Sequence, residues 1–357
     1  MTGVVPLRHA GPECGAKART LGRLLAAGLQ VPDGVVISRA GDAGWRRELP
    51  SHLRALGGDA FAVRSSAAVE DGAVASFAGQ FRSLLHVRAV DVVEAVGEVA
   101  SATAGAAAYA AALGSAPPGD VAVLVQPMAA PEVAGVAFTR HPVTGARTTV
   151  VEAVPGLGDR LVSGDVDPER WIIEPGGSAR VDHARGVLDA RGARAVAGVA
   201  ARVERLLGGE QDVEWALDVD GAVWTIQARP VTTRVPAALH PVAGRVGPAG
   251  STLAVGTPSS PGTASGRVRV LHDLDDLPRF RSGEVLVCRA TSPAWTPALT
   301  RAAAVVTEVG GVLSHAAIVA RELGVPAVTG VPGARDLPAG APVVVDGSAG
   351  TVRREVR

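Results

Sequence analysis

A single lysine stands among the 35 basic residues of this 357-residue chain, and there is no asparagine. Arginine therefore serves wherever a generic cation is wanted. Lys17 either marks a place that needs a compact ammonium rather than a guanidinium fork, or is a chance survivor of an Ala-, Val-, Gly-, Arg- and Pro-rich composition. A second signal is TEVGGVLSHAAIVARELGVPAV (307–328). Here a strand ends in Gly310-Gly311, and Ser314-His315 fall where a helix begins. The first turn of a helix carries unpaired N–H groups and a partial positive charge. That setting keeps an imidazole neutral and nucleophilic, and it would stabilise a phosphoryl group placed on the ring. The glycines let the backbone approach a phosphate closely. The plainer alternative is a capping Ser314 beside a surface His315.

The stretch FAVRSSAAVEDGAVASFAGQF (61–81) delivers Arg64 from a buried strand into a loop of small and hydroxyl residues reaching Gly79. Such a loop suits a polyphosphate, and it also describes an ordinary polar turn. It lacks GxxxxGK, so it is not a Walker-type loop. In DVEWALDVDGAVWTIQARP (212–230), strand alternation puts Asp212 and Glu214 on one face and Gln227 and Arg229 on one face of the next strand. Antiparallel pairing brings the two pairs together. A carboxylate and an amide oxygen are hard donors suited to Mg²⁺, with Arg229 placed to grip a phosphate. The alternative is an exposed cross-strand salt bridge. The other histidines show no HxH or HExxH spacing, and Cys14 and Cys288 form no CxxC, so a zinc site is not expected. Cys288, inside an apolar run, reads as a core thiol.

The elements that must position these groups are mixed α/β. Ala18, Leu21, Leu24 and Leu25 have helical spacing, Gly28 ends that helix, and a strand follows within 31–38. Strands are expected over 60–64, 83–87, 121–128, 135–140 and 148–154. An Ala-rich helical stretch covers 89–113, and an amphipathic helix spans 190–208. The 212–230 segment reads as a hairpin turning at Asp220-Gly221. Residues 231–258 are rich in Pro, Gly and Ala and read as a linker. A second α/β unit follows, with strands in GRVRVL, GEVLVCR, AAVVTEV and APVVVD and a helix over 314–324 stopped by Gly324.

Thirty-five acidic residues cancel the basic ones, which excludes a strongly basic nucleic-acid binder or a polybasic membrane-surface protein. The 47% hydrophobic content is ample for large cores. No signal peptide and no uninterrupted apolar run of membrane-spanning length is visible, so a soluble cytoplasmic protein without membrane partners is expected.

Taken together and in order, GAKARTLGRLLAAGLQVPDGVVIS, AVRSSAAVED…SFAGQ, VLVQPM, GVAFTRHPVTG, GLGDRLVSGDVDPERW, QDVEWA, IQARP and TEVGGVLSHAAIVARELGVPAV resemble the phosphohistidine dikinases. That family includes pyruvate phosphate dikinase, phosphoenolpyruvate synthase and rifampicin phosphotransferase. The resemblance implies an α/β (α+β) chain. An ATP-grasp-type nucleotide-binding region would span 1–233, a Pro/Gly/Ala-rich linker 234–257, and a swivelling α/β phosphohistidine domain 258–357. It implies ATP contacts from Lys17, Arg64, Gly79, Ser83 and Gln126, Mg²⁺ ligation by Glu214 and Gln227, a phosphate contact from Arg229, and His315 as phosphocarrier. Ser83 stands where a threonine is common, and Cys14-Gly15 replaces a frequent Gly-Gly.

The implied activity passes the β-phosphate of ATP through His315 to an acceptor, releasing AMP and phosphate. No acceptor domain of the family's known kinds is recognisable, so the expected acceptor is a small-molecule hydroxyl. One alternative is the phosphodonor subunit of a split phosphoenolpyruvate synthase-like system with a separate acceptor chain. Another is a non-catalytic nucleotide-binding module, against which the retention of Lys17, Arg64, Glu214, Gln227, Arg229 and His315 argues.

Overall fold

The computed structural model describes residues 3–42, 44–68, 82–102, 121–142, 144–162, 166–231, 249–312 and 314–356. Two compact units share the chain. The first gathers Met1–Thr139, Thr148–Gly158 and Arg170–Val231; the second gathers Arg140–Arg147, Asp159–Glu169 and Thr232–Arg357.

The first unit holds two sheets. One contains β1 (Val4–Pro6), β2 (Val35–Ile37), β3 (Ala60–Ser66), β4 (Ser83–Arg88) and β5 (Ala122–Pro127) in the order β1-β2-β5-β3-β4. The other contains β6 (Val133–Phe138), β7 (Thr149–Pro155), β8 (Glu169–Ile173), β9 (Ala179–His183), β10 (Gln211–Leu217) and β11 (Val223–Pro230) in the order β11-β10-β6-β7-β8-β9. All four pairings of the first sheet are antiparallel. So are β11 with β10, β10 with β6, β6 with β7 and β8 with β9 in the second.

Helices α2 (Trp45–Leu56) and α3 (Val92–Ser101) cover one face of the five-stranded sheet, where Trp45, Leu49, Phe61, Val63, Val96 and Val123 form a core. A second core joins α1 (Gly15–Ala26) and α4 (Ala190–Leu207) to Val36 and Leu124 of the first sheet and to Val213 and Trp215 of the second. α1 presents Ala18, Leu21 and Leu24 as its apolar stripe, as their spacing requires. α4 starts at Asp189, whose Oδ1 accepts from the Gly192 N–H at 2.7 Å, and stops at Gly208.

The second unit is an eight-stranded sheet. Its strands are β12 (Ala249–Val255), β13 (Thr257–Ser260), β14 (Thr263–Val270), β15 (Val285–Cys288), β16 (Ala304–Thr307), β17 (Ala327–Thr329), β18 (Pro342–Asp346) and β19 (Thr351–Glu355), in the order β12-β19-β18-β14-β15-β16-β17-β13. β14, β15, β16 and β17 pair in parallel, and the remaining pairings are antiparallel. Parallel strands are covered on both faces, so β15 is buried along its whole length and reads as the unbroken apolar run VLVC. Cys288 ends it, with a thiol that burial pushes up to about 12, as expected of a core residue.

The linker reading of 234–257 needs correction at its C-terminal part. β12 and the first residue of β13 lie within it, and β12 pairs with β19. Two register shifts interrupt that pairing, which removes the two-residue alternation by which a strand is read in sequence. The rest of the segment, 234–248, lies outside the described residues. Among the described residues, no helix is long and apolar enough to cross a membrane.

Candidate functional site

The first cluster is built where α1 meets the end of β3. Gly15 opens the helix at φ +77°, and a Cβ there would fall 1.8 Å from the Ser66 carbonyl oxygen, so only glycine fits. The Ser66 hydroxyl donates to the Cys14 carbonyl at 2.7 Å and accepts from the Ala18 N–H at 3.0 Å. The Ala16 N–H donates to the Ala67 carbonyl at 3.0 Å. This stitching carries Lys17 to the strand, where its Nζ donates to the Ser65 carbonyl at 3.1 Å and the side chain is buried. Burial pushes the Cys14 thiol up to about 11, which keeps it a thiol at neutral pH.

Arg64, one residue before Ser65, crosses to the other sheet. Its Nη1 donates to the Ile226 carbonyl at 2.8 Å and its Nη2 to Gln227 Oε1 at 2.5 Å, while Nη2 stands 3.5 Å from Glu214 Oε2. The hairpin register explains the convergence: Glu214 lies directly opposite Gln227, and Asp212 directly opposite Arg229. The pairing slips between Glu214 and Trp215, leaving Ile226 as an extra residue whose carbonyl meets Arg64. Arg229 Nε donates to Asp212 Oδ2 at 2.8 Å, a buried pair. Asp212 and Glu214 therefore share a face, while Val213 and Trp215 turn into the core with α4.

Gln126 is buried and donates from Nε2 to the Pro32 carbonyl at 2.6 Å. It lies opposite Ala62, two residues from Arg64 on the same face of the sheet. Ser83 is the β4 partner of Arg64 in register and is exposed. Gly79 lies outside the described residues. Arg64, Glu214 and Gln227 are in direct contact, Arg229 is fixed by Asp212 on the same face, and Lys17 is held at the neighbouring backbone.

Glu214 and Gln227 fit a divalent cation. Their two hard oxygens already converge on one cationic nitrogen, Arg64 Nη2, and Mg²⁺ commonly takes few protein ligands beside substrate phosphates. Among the described residues no group of three or more His, Cys, Asp and Glu side chains is arranged for a metal.

The second cluster is in the other unit. His315 is the first residue of α6 (His315–Leu323), the helix that follows the single turn α5 (Thr296–Leu299). Ser314 is its N-cap, accepting from the Ala317 N–H at 3.4 Å and donating to the Gly311 carbonyl at 3.0 Å. His315 is buried, and its Nδ1 shares a hydrogen bond with Thr291 Oγ1 at 3.0 Å. Burial pushes the imidazole down to about 4, so the ring is neutral at physiological pH.

Arg321, also buried on α6, donates from Nη1 to the Val312 and Ser259 carbonyls at 2.7 and 2.8 Å and fixes the loop before His315. Asp167 Oδ1 accepts from the Gly310 N–H at 3.0 Å. His315 is thus both a capped helix start and a buried ring, which answers the surface-histidine alternative.

Sequence reasoning alone misses Thr291. Its 24-residue separation from His315 carries no motif. The usable signal is topological: β15 and β16 are parallel neighbours, so the segments leaving their C-terminal ends converge, where α/β sheets bind ligands.

Two families of known proteins match the chain. The one described as "Pyruvate phosphate dikinase, AMP/ATP-binding domain" matches residues 46–182, and "PEP-utilising enzyme, mobile domain" matches residues 280–350. A phosphoenolpyruvate synthase from Aeropyrum pernix is 31% identical over 96% of this chain and 56% of its own length. That of Pyrococcus furiosus is 36% identical over 83% of this chain and 41% of its own. The chain thus spans about half the length of the curated relatives it matches. The solved D-alanine-D-alanine ligase of Coxiella burnetii covers 62% of this chain and 49% of its own at 16% identity, with a TM-score of 0.32. An AMP/ATP-binding domain match ahead of a mobile-domain match, together with 31–36% identity to phosphoenolpyruvate synthases, supports the phosphohistidine dikinase family for this α/β chain.

Proposed function

We propose that the chain is an ATP-dependent phosphotransferase working through phospho-His315. The observation that carries this reading is the setting of His315: a buried, neutral imidazole at a helix N-terminus with Nδ1 engaged by Thr291. When Nδ1–H donates to Thr291 Oγ1, Nε2 holds the lone pair. Nε2 then attacks the β-phosphorus of ATP, the bond from that phosphorus to the α–β bridging oxygen breaks, and AMP leaves with the electron pair. Loss of the terminal phosphate to water or inorganic phosphate leaves a phosphoryl group on Nε2. An acceptor oxygen takes that phosphoryl group, and the ring nitrogen recovers its lone pair.

In the nucleotide-binding unit, Lys17, Arg64 and Arg229 would balance phosphate charge, and Gln126 and Ser83 would contact the nucleotide. Glu214 and Gln227 would hold Mg²⁺, which supplies further charge neutralisation on the phosphates. Gly79 is assigned to the nucleotide by family resemblance alone. In the carrier unit, the N-terminal dipole of α6 would favour the anionic phosphohistidine. The acceptor is a small-molecule oxygen nucleophile. Pyruvate in its enolate form is the first candidate, because the relatives carry the name phosphoenolpyruvate synthase.

The test uses purified protein, Mg²⁺ and ATP labelled at the β-phosphate, without acceptor. The expected result is AMP together with an acid-labile, base-stable label on the wild type and none on His315→Ala. AMP formation by His315→Ala at the wild-type rate would overturn the carrier assignment. Chase of the label into phosphoenolpyruvate by pyruvate then reads the acceptor.

A further inference from the structure

Resting on the metal-site reading above, we infer that Arg64 occupies the metal position in the nucleotide-free protein, so that a divalent cation and Arg64 exclude one another at Glu214 and Gln227. The guanidinium is not merely near these groups. Nη2 stands 2.5 Å from Gln227 Oε1 and 3.5 Å from Glu214 Oε2, the two oxygens that would ligate the ion. Nη1 anchors it to the Ile226 carbonyl at 2.8 Å. The Arg64 and Glu214 side chains are 9% and 19% exposed, so solvent screens their charges weakly. A guanidinium and a divalent cation cannot share two oxygens in such a place, since like charges at contact distance repel strongly where the effective dielectric is low.

This contact gives the site a loading order. Without nucleotide, the carboxylate and the amide oxygen already have a cation, and free metal must displace it. Anionic phosphate oxygens offer the guanidinium a bidentate partner of opposite charge. Once Arg64 turns to the phosphates, Glu214 and Gln227 are released to the metal that arrives with them. Metal and nucleotide then bind with positive coupling, and by linkage each raises the affinity of the other by the same factor. Arg64 is a switch residue for the cation as well as a phosphate contact.

The experiment measures Mn²⁺ binding by electron paramagnetic resonance, which needs no turnover, in the full chain without nucleotide. Arg64→Ala should bind Mn²⁺ at least tenfold more tightly than the wild type. Added guanidinium ion at millimolar concentration should reverse that gain, whereas tetramethylammonium should not. Arg64→Gln, which keeps a donor for the Ile226 carbonyl, is the fallback if Arg64→Ala does not fold. With α,β-methylene-ATP present, the difference between wild type and variant should shrink, because the nucleotide has already drawn Arg64 away. Equal Mn²⁺ affinity of wild type and both Arg64 variants without nucleotide would overturn the exclusion. A double variant Arg64→Ala/Glu214→Ala that binds as tightly as Arg64→Ala would instead overturn the assignment of Glu214 as a metal ligand, a separate failure.

Discussion

The buried His315 ring makes the stability of the protein depend on pH in a defined window. An unfolded chain takes a proton on histidine near pH 6.5, whereas the native ring takes one only near pH 4 because burial disfavours its charged form. As pH falls through 6.5, the unfolded state binds more protons than the native state, so stability falls. The loss ends once the native ring also titrates, near pH 4. Each pH interval of one between the two titrations costs about 1.4 kcal/mol. The full loss is therefore about 3 kcal/mol, and about 2 kcal/mol of it is already incurred at pH 5. Above pH 7 the contribution vanishes.

The assay is urea unfolding of wild type and His315→Gln at several pH values from 7.5 to 5. Carboxylates and the other histidines titrate in both proteins and cancel in the difference. The stability of the variant relative to wild type should rise by about 2 kcal/mol over that range, with unchanged m-values. A difference independent of pH would show that the native ring accepts a proton near its ordinary value, and His315 would then not be held as a neutral nucleophile. A neutral ring also has a kinetic corollary: self-phosphorylation should not lose activity through a titration near pH 6.5.

Gly15→Ala should destabilise the protein by about 3 kcal/mol or more and lower its melting temperature, since a Cβ would meet the Ser66 carbonyl at 1.8 Å; a melting curve matching wild type would refute the contact. Lys17→Arg should raise the KM for ATP despite keeping the charge, because a buried ammonium on the Ser65 carbonyl leaves no space for the larger fork. Unchanged steady-state kinetics would return Lys17 to compositional chance. Thr291→Val should slow self-phosphorylation by on the order of tenfold through loss of one hydrogen bond to the ring, with nucleotide affinity unchanged when measured by titration.

Where the sequence is legible, a single period or a single turn governs the element. The apolar stripe of α1, the capped α4 and the β10–β11 hairpin all lie within two residues of the spans their spacing predicts. Strand alternation places Glu214 with Asp212 and Gln227 with Arg229, whereas the direct pairing of Glu214 with Gln227 comes from the hairpin register. α2 is masked in the sequence by Pro50 inside it, although Trp45, Leu49 and Leu53 do form its buried stripe. β8 and β9 are hard to read because β9, at the margin of its sheet, is almost wholly exposed and carries no apolar alternation. Thr291 and Asp167 reach the surroundings of His315 only through tertiary structure, 24 and 143 residues away from His315 and Gly310. Such placements are set by strand order, which local patterns do not encode.

The extra residue at Ile226 has an evolutionary consequence. Val223 and Ala228 both belong to the core, and Thr225, fully buried, is opposite Trp215, whereas Gln227 and Arg229 pair with Glu214 and Asp212 on the other face. An odd step inside β11 is therefore what allows one strand to serve both faces out of phase. Deletion of one codon there would restore even parity and send either the core pair or the Gln227–Arg229 pair to the wrong side. This hairpin should be among the stretches least tolerant of single-residue insertions and deletions. Codon-deletion scanning should register it as a sharp minimum of tolerance, set by counting rather than by chemistry.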